Sequence, residues 1–377
     1  MRVKPLEGKT FGATVGHVDI TNITGDTVAE LNALLLQHGA LLIKNSGSNV
    51  ITKQHQAAFG ANFGRLEFGG AAMSNTERDG TTIAVEAQRM RTNIGNEMWH
   101  TDSTYKPLSS KVAMLSAREL PPSGGGQTAL VDMREAYQRL DVNTRRRIDG
   151  LSAWHSTQFS QAADMGDFPP ENPNTIYHGA AFLRPLVKVH PSTGDPAVFV
   201  GRHSFGVCVT NEPRQALPRR ESQELLASLV RIAVADESAV WTHEWHVGDT
   251  LLWDNRRLLH RALPYVYSEP RVLLGTRVEG DSTELALNAA DPLADPPSQR
   301  RRQDLNQLGR RVLADELALQ RAEIAEGDVE RRMAASLPAA IVVGTQASDA
   351  AAPTQLQLDL AKGGTRGAAH GGGGGRL

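Results

Sequence analysis

The chain is short of several things, and each shortage narrows its function. It has one cysteine, Cys208, in 377 residues. No disulfide framework or multi-cysteine zinc site can be built from it, and the usage fits a reducing compartment. No apolar run approaches the roughly 20 residues of a membrane span. The opening stretch, MRVKPLEGKTFGATVGHVDI, lacks the apolar core of a secretory leader. The formal net charge is only −2, without a basic block for nucleic acid or an acidic block for storing cations. These features predict a soluble, cytoplasmic protein with no nucleic-acid or membrane partner. A homo-oligomer is left open.

What is present is rich in short apolar runs. TGDTVAELNALLLQHG reads as a helix: Thr27 and Glu30 have capping-box spacing, Leu31, Leu34 and Leu35 share a face, and Gly39 stops it. ALLIKN follows as a buried strand. From about residue 80, short runs alternate with turns. LVKV and AVFV flank HPSTGDP as a hairpin, SQELLASLVRIAVAD reads as one amphipathic helix, and VWTHEWHVGDTLLWDN and PRVLLGTRVEG read as strands. No βαβ rhythm is visible. The expected fold is mainly β with flanking helices, a jelly-roll-like sandwich or barrel. Composition shifts near residue 284. We expect a domain over residues 1–283, a Pro- and Arg-rich linker over 284–300, and a helical extension over 301–340. Its apolar face would carry Leu305, Leu308, Val312 and Leu319. The Ala/Gly-rich tail over 341–377 is too poor in apolar surface to offset its ordering entropy, so disorder is expected there.

MWHTDSTY, residues 98–105, places His100 and Asp102 two positions apart. In a strand both would face one side and could reach one cation; the bland alternative is a shared hydrogen bond. A third ligand is offered by His260 in WDNRRLLHRALPY. Two histidines and one carboxylate on one face of a metal leave three positions open, the pattern of non-haem Fe(II) oxygenases. His243 and His246 of HEWH lie three apart, on opposite faces of a strand, and are read as structural, as are His190 and His203. Oxygen activation needs two further electrons. If a 2-oxo dicarboxylate supplies them, its far carboxylate calls for an arginine and usually a hydroxyl. Arg271 lies eleven residues after His260, Thr128 follows the glycine run of PPSGGGQTALVD, and Asn96 lies four residues before His100.

Together, WHTDSTY, ELPPSGGGQTALVDMREAYQRL, WDNRRLLHRALPY and PRVLLGTRVEGD resemble the taurine/2,4-D dioxygenase (TauD/TfdA) family of Fe(II)/2-oxoglutarate-dependent enzymes, in family order, over roughly residues 8–282. LRPLVKVHPSTGDP, VGRHSF and WDNRRLLHRA resemble the branch that degrades aryloxyalkanoate herbicides, the (S)-selective phenoxypropionate dioxygenases. The resemblance implies a double-stranded β-helix (jelly-roll, cupin-like) core. It implies His100, Asp102 and His260 as ligands of Fe(II), Arg271 on the distal carboxylate of 2-oxoglutarate with Thr128 assisting, and Asn96 near the same cosubstrate. O₂ would be the other cosubstrate. The implied reaction couples decarboxylation of 2-oxoglutarate to succinate and CO₂ with hydroxylation of a substrate C–H bond, and cleaves an ether when that carbon carries an aryloxy group. The taurine branch uses a second arginine where this chain has Gly275, which argues against taurine and for added volume. Arg277, on the same strand face, is expected either at a substrate carboxylate or in a rim ion pair. The rival expectations are the same chemistry on a sulfonate, an alkyl sulfate or a secondary-metabolite intermediate, and a non-oxidative cupin metalloenzyme.

Overall fold

The structure is a computed structural model that describes residues 1–44, 51–165, 179–291 and 293–325. Its centre is a seven-stranded sheet. The strands in spatial order are Arg2–Pro5, Ala13–Gly16, Ala40–Ile43, Thr250–Asp254, Ser110–Glu119, Val272–Glu279 and Leu66–Ser74. All neighbours are antiparallel except Ala13–Gly16 with Ala40–Ile43. That parallel pair is joined by the helix Gly25–His38, which supplies the necessary crossover. A smaller sheet, Val240–His243, Thr128–Asp132 and Leu258–Ala262, lies opposite.

The period-2 alternation of strands assigns their side chains to layers. Ala113, Leu251, Trp253 and Leu273 of the large sheet meet Leu130, Trp241 and Leu258 of the small one in one core. Val112, Met114 and Leu252 point the other way, beneath the helices Gly25–His38 and Lys53–Ala61. Ala129, Val131 and Leu259 turn outward to Leu225, Leu226 and Leu229 of the helix Arg219–Val234. A four-stranded sheet, in the order Glu212–Ala216, Ser204–Val209, Leu151–His155 and Phe182–Pro185, completes the body, and packed sheets under helical cover are the expected jelly-roll architecture. The strands Val187–Val189 and Pro196–Val198 form the expected hairpin around His190.

Some local details differ from the expectation. Thr24, not Thr27, caps the first helix, accepting a hydrogen bond from the Thr27 amide at 3.3 Å. Gly39 ends it for two reasons: its φ is +75°, and a Cβ there would lie 2.7 Å from the Arg257 guanidinium. The C-terminal helix starts at Pro296, inside the stretch expected to be a linker, and reaches Ala325. Its buried stripe runs through Gly309, Leu313, Leu317 and Gln320 rather than Leu319, which is 49% exposed. Gly309 sets that rotation. A Cβ would come within 2.7 Å of Trp154, so only glycine lets the helix sit on that ring. Leu313 and Leu317 then join Trp154, Leu183 and Phe205, and Arg219 pairs with Glu316 through two hydrogen bonds of 2.8 Å. Asn288 ties the same stretch to the body: it accepts from the Leu183 amide and donates to the Ala181 carbonyl. Residues Met1–Ala322 thus form one compact unit. The expected tail lies outside the described residues. Among the described residues, no helix is long and apolar enough to cross a membrane.

Candidate metal centre and cosubstrate cleft

His260 sits on the strand Leu258–Ala262, two residues after Leu258, so alternation turns it into the space between the sheets. There its ring lies 4.7 Å from that of Trp253. His100 does not belong to a regular strand. It forms an isolated antiparallel bridge with His260, each amide donating to the other's carbonyl at 2.9 Å. Residues paired in this way project to the same face, and the two ring centroids are 4.2 Å apart.

Asp102 follows in a turn, so the strand spacing expected for His100 and Asp102 is replaced by a bridge and a turn. Ser103, just beyond, has φ +60°, the left-handed region that costs energy for a residue with a Cβ. The turn is held by Asn255. Its Oδ1 accepts from the Asp102 amide (3.0 Å), and its Nδ2 donates to the carbonyls of Asp102 (3.0 Å) and Ser110 (2.8 Å). Ser103 Oγ adds a 3.0 Å bond to Glu67.

The result is a cluster in which one ligand atom from each of His100, Asp102 and His260 lies within 4.8 Å of the others. His100 Nε2 is 3.8 Å and His260 Nε2 is 3.5 Å from the Asp102 carboxylate. His100 Nδ1 lies 2.8 Å from the Met98 carbonyl, which fixes the protonated nitrogen and leaves Nε2 as a lone-pair donor. Burial, then repulsion from His260, holds His100 well below the usual histidine value. Burial likewise lowers His260 to about 4. Burial works to raise Asp102, but the charge of Arg277 outweighs it and holds the carboxyl below the usual carboxylate range, so it is ionised. Two neutral imidazoles and one carboxylate, all buried, are a donor set that suits divalent iron.

A cleft open to solvent, about 830 Å³ in extent, connects this cluster with Asn96, Thr128, Arg271, Gly275 and Arg277. Arg271 heads the strand Val272–Glu279. Its Nε and Nη2 donate to the Gly126 carbonyl at 3.2 and 2.6 Å, and its guanidinium lies 5.4 Å from the Tyr265 ring centre. Gly126 has to be glycine: its φ is +66°, and a Cβ would lie 2.5 Å from Arg271 Nε. Asn75 accepts from the Arg271 amide (2.7 Å) and donates to the carbonyls of Tyr267 and Glu269, clamping the approach to the strand. Thr128 Oγ1 accepts from Trp245 Nε1 at 3.1 Å. Asn96 caps the helix Gln88–Gly95, and its carbonyl accepts from the Ala262 amide.

Arg277 forms an ion pair, as one expectation for it had it, but beside the metal cluster rather than on a rim. It lies against the Asp102 carboxylate, with Ser103 Oγ at 3.4 Å, Tyr105 Oη at 3.5 Å and Glu67 at 4.0 Å. It is neither on a rim nor free for a substrate. Gly275 also adds less room than expected, because Met73 covers it: a Cβ would lie 2.9 Å from Met73 Cε. His243, buried, and His246, largely exposed, approach one Asp249 oxygen at 3.4 and 3.7 Å, but they do not join Asp249 in a metal-site cluster among the described residues, and Trp245 reaches the cleft through Thr128. His190 Nε2 meets Asp254 at 2.9 Å, and His203 Nδ1 meets Ser160 at 2.8 Å. Sequence reasoning does not single out Asn75, Asn255, Trp245 or Glu97. Asn255 lies five residues before His260, and Trp245 lies inside HEWH; closeness to a motif is the signal that points to them.

Comparisons with known proteins give the family. Residues 2–277 match the family described as Taurine catabolism dioxygenase TauD, TfdA family. The chain is 37% identical over 297 residues to an (S)-phenoxypropionate/alpha-ketoglutarate dioxygenase of Sphingobium herbicidovorans, covering 76% of this chain and 97% of that one. It is 32% identical over 289 residues to an alpha-ketoglutarate-dependent 2,4-dichlorophenoxyacetate dioxygenase of Cupriavidus pinatubonensis, covering 70% and 92%. The crystal structure of AAD-2 in complex with Mn(II) and N-oxalylglycine superposes with a TM-score of 0.67 at 27% identity, covering 76% of this chain and 99% of that one.

Proposed function

The chain belongs to the taurine catabolism dioxygenase TauD, TfdA family, and on that premise we propose that its cleft oxidises a small organic acid with an apolar body, an aryloxyalkanoic acid being the class favoured. As a 2-oxoglutarate-dependent dioxygenase it uses Fe(II), 2-oxoglutarate and O₂. In our reading His100, Asp102 and His260 hold the iron, and Arg271, Thr128 and Asn96 receive the cosubstrate. Bound iron supplies the centre at which O₂ is reduced while 2-oxoglutarate is decarboxylated and a substrate C–H bond is hydroxylated. The protein positions the reactants and excludes water around them.

The observation that carries this reading is the placement of the buried triad and Arg271 in one cleft. Arg271 Nε and Nη2 are engaged by Gly126, while Nη1 has no hydrogen bond among the described residues and is available to a carboxylate. Trp245 donates to the Thr128 hydroxyl, which lines the same cleft. The rest of the lining includes Phe68, Met73, Met90, Ile94, Leu115 and Leu273, which suit an apolar body. Gly275 offers no cation for a compact sulfonate, and Arg277 is committed to Asp102. An aryloxy carbon hydroxylated here would release its phenol, because the resulting hemiketal or hemiacetal collapses. The cytoplasm, which supplies Fe(II) and 2-oxoglutarate, is the compartment proposed for it.

The test is 2-oxoglutarate-dependent O₂ uptake with taurine, an alkyl sulfate and the two enantiomers of 2-phenoxypropionate. We expect one phenoxypropionate enantiomer to stimulate uptake most. Preference for taurine would return the chain to sulfonate chemistry.

A further inference from the structure

Glu97 lines the same cleft as Arg271, on the loop that leads from the helix Gln88–Gly95 to His100. One of its oxygens, Oε1, accepts a 2.6 Å hydrogen bond from Tyr267 Oη. The other, Oε2, has no hydrogen-bond partner among the described residues, and none of them closes an ion pair on the carboxyl. The charged and titratable groups that face it are Arg261 on the strand Leu258–Ala262, Tyr265 and Tyr267 on the following loop, and Arg271 at the head of the last strand. An acid therefore stands within electrostatic reach of the guanidinium assigned to 2-oxoglutarate, with half of its hydrogen-bonding capacity unspent.

The two charge states of Glu97 act differently on an incoming dianion. Ionised, it competes for the Arg271 field and repels both carboxylates of the cosubstrate. Protonated, it does neither, and its hydroxyl can donate. We propose that 2-oxoglutarate binds to the form of the cleft in which Glu97 carries a proton, so that Glu97 is a specificity residue for cosubstrate charge and docking on Arg271 is accompanied by proton uptake. The inference rests on the reading of Arg271 as the cosubstrate arginine.

The proton is available near neutrality. Burial pushes Glu97 up to about 7, against the opposing pulls of the Tyr267 hydroxyl and of Arg261 and Arg271. Burial also raises Tyr265, to about 12, so it stays neutral throughout this range, and both carboxyls of 2-oxoglutarate are ionised. The sign follows by linkage. If the protonated form binds, affinity is constant while Glu97 is already protonated and declines as pH rises through its value. The limiting slope is about tenfold per pH unit for one proton.

The experiment is anaerobic calorimetric titration of 2-oxoglutarate into the full chain with saturating Fe(II), from about pH 6 to about pH 9, in buffers of different ionisation enthalpy. The wild type is expected to lose affinity above neutrality and to take up close to one proton there. Glu97→Gln is expected to bind with a flat profile and no proton uptake. Tyr267→Phe is expected to move the midpoint upward, because the lost hydroxyl no longer favours the ionised carboxylate; a purely structural role for Tyr267 would weaken binding equally at every pH. Identical profiles for wild type and Glu97→Gln would overturn the inference, as would a downward shift in Tyr267→Phe. Arg271→Gln separates the two readings. If it binds as tightly as wild type, the cosubstrate reading fails and the inference with it. If binding needs Arg271 but does not vary with pH, the inference alone fails.

Discussion

At the metal end of the cleft, strong charges are answered by charges of the protein itself. Arg277 lies on Asp102, and Glu67 receives Lys106, Ser103 and Ser110. At the cosubstrate end, Arg271 has only the neutral Gly126 carbonyl as its side-chain hydrogen-bond acceptor among the described residues, and Glu97 has only the Tyr267 hydroxyl. A buried charge without an opposite charge raises the free energy of the folded chain. A ligand of the right sign recovers that cost on binding. The metal end is therefore preorganised around its own carboxylate, whereas on the proposed reading the cosubstrate end is completed by an anion from solution.

The largest effects should come from removing the ligand set itself. His100→Ala, Asp102→Ala and His260→Ala are each expected to abolish Fe(II) binding and turnover while far-ultraviolet circular dichroism remains that of the folded protein. Near-normal iron affinity and turnover in any one variant would remove that residue from the set. Next comes the cosubstrate end. Arg271→Ala should raise the 2-oxoglutarate KM by the equivalent of roughly 2–5 kcal/mol, the usual cost of truncating one partner of a buried charge-assisted contact. Iron affinity, measured separately, should barely change. An unchanged KM would mean that the anion is held elsewhere.

The smallest effect sharpens the contrast most. Arg277→Gln removes an internal counter-charge and should destabilise the metal-free protein by about 1–3 kcal/mol, the cost of leaving a buried acceptor short of its donor. Arg271→Gln, which breaks no hydrogen-bonded ion pair of the protein, should cost much less. Added Fe(II) should recover part of the Arg277→Gln loss, since the metal's charge also answers Asp102. Urea unfolding of both variants, with and without metal, decides this. Equal losses in the metal-free state would erase the distinction between the two ends.

Much of the cleft is legible in the sequence. The donor types, the spacing of Arg271 after His260 and the glycines ahead of Thr128 all identify chemistry that side chains carry wherever they sit. The strands around residues 240–279 are legible too, because alternation and turn residues are local properties. The conformation at Asp102 is not. An i, i+2 pair fits a strand equally well as a bridge followed by a turn, and Asn255, which selects the turn, is 153 residues away. The buried face of the C-terminal helix escapes a local reading for a similar reason. Leu319 continues an apolar pattern, but contact between Gly309 and Trp154 rotates the helix and leaves Leu319 exposed.

The sequence by itself determined which metal-ligating and anion-binding side-chain types this protein has, and that strands would carry most of them. The tertiary structure alone decided which charge faces which. It placed Arg277 on Asp102, left part of Arg271 uncommitted and set Glu97 beside Tyr267. The physical reason is range. A residue's donor chemistry and strand preference come from its own atoms and near neighbours. Hydrogen bonds and close ion pairs act over only a few ångströms, and the bond from Tyr267 to Glu97 joins residues 170 positions apart in the chain.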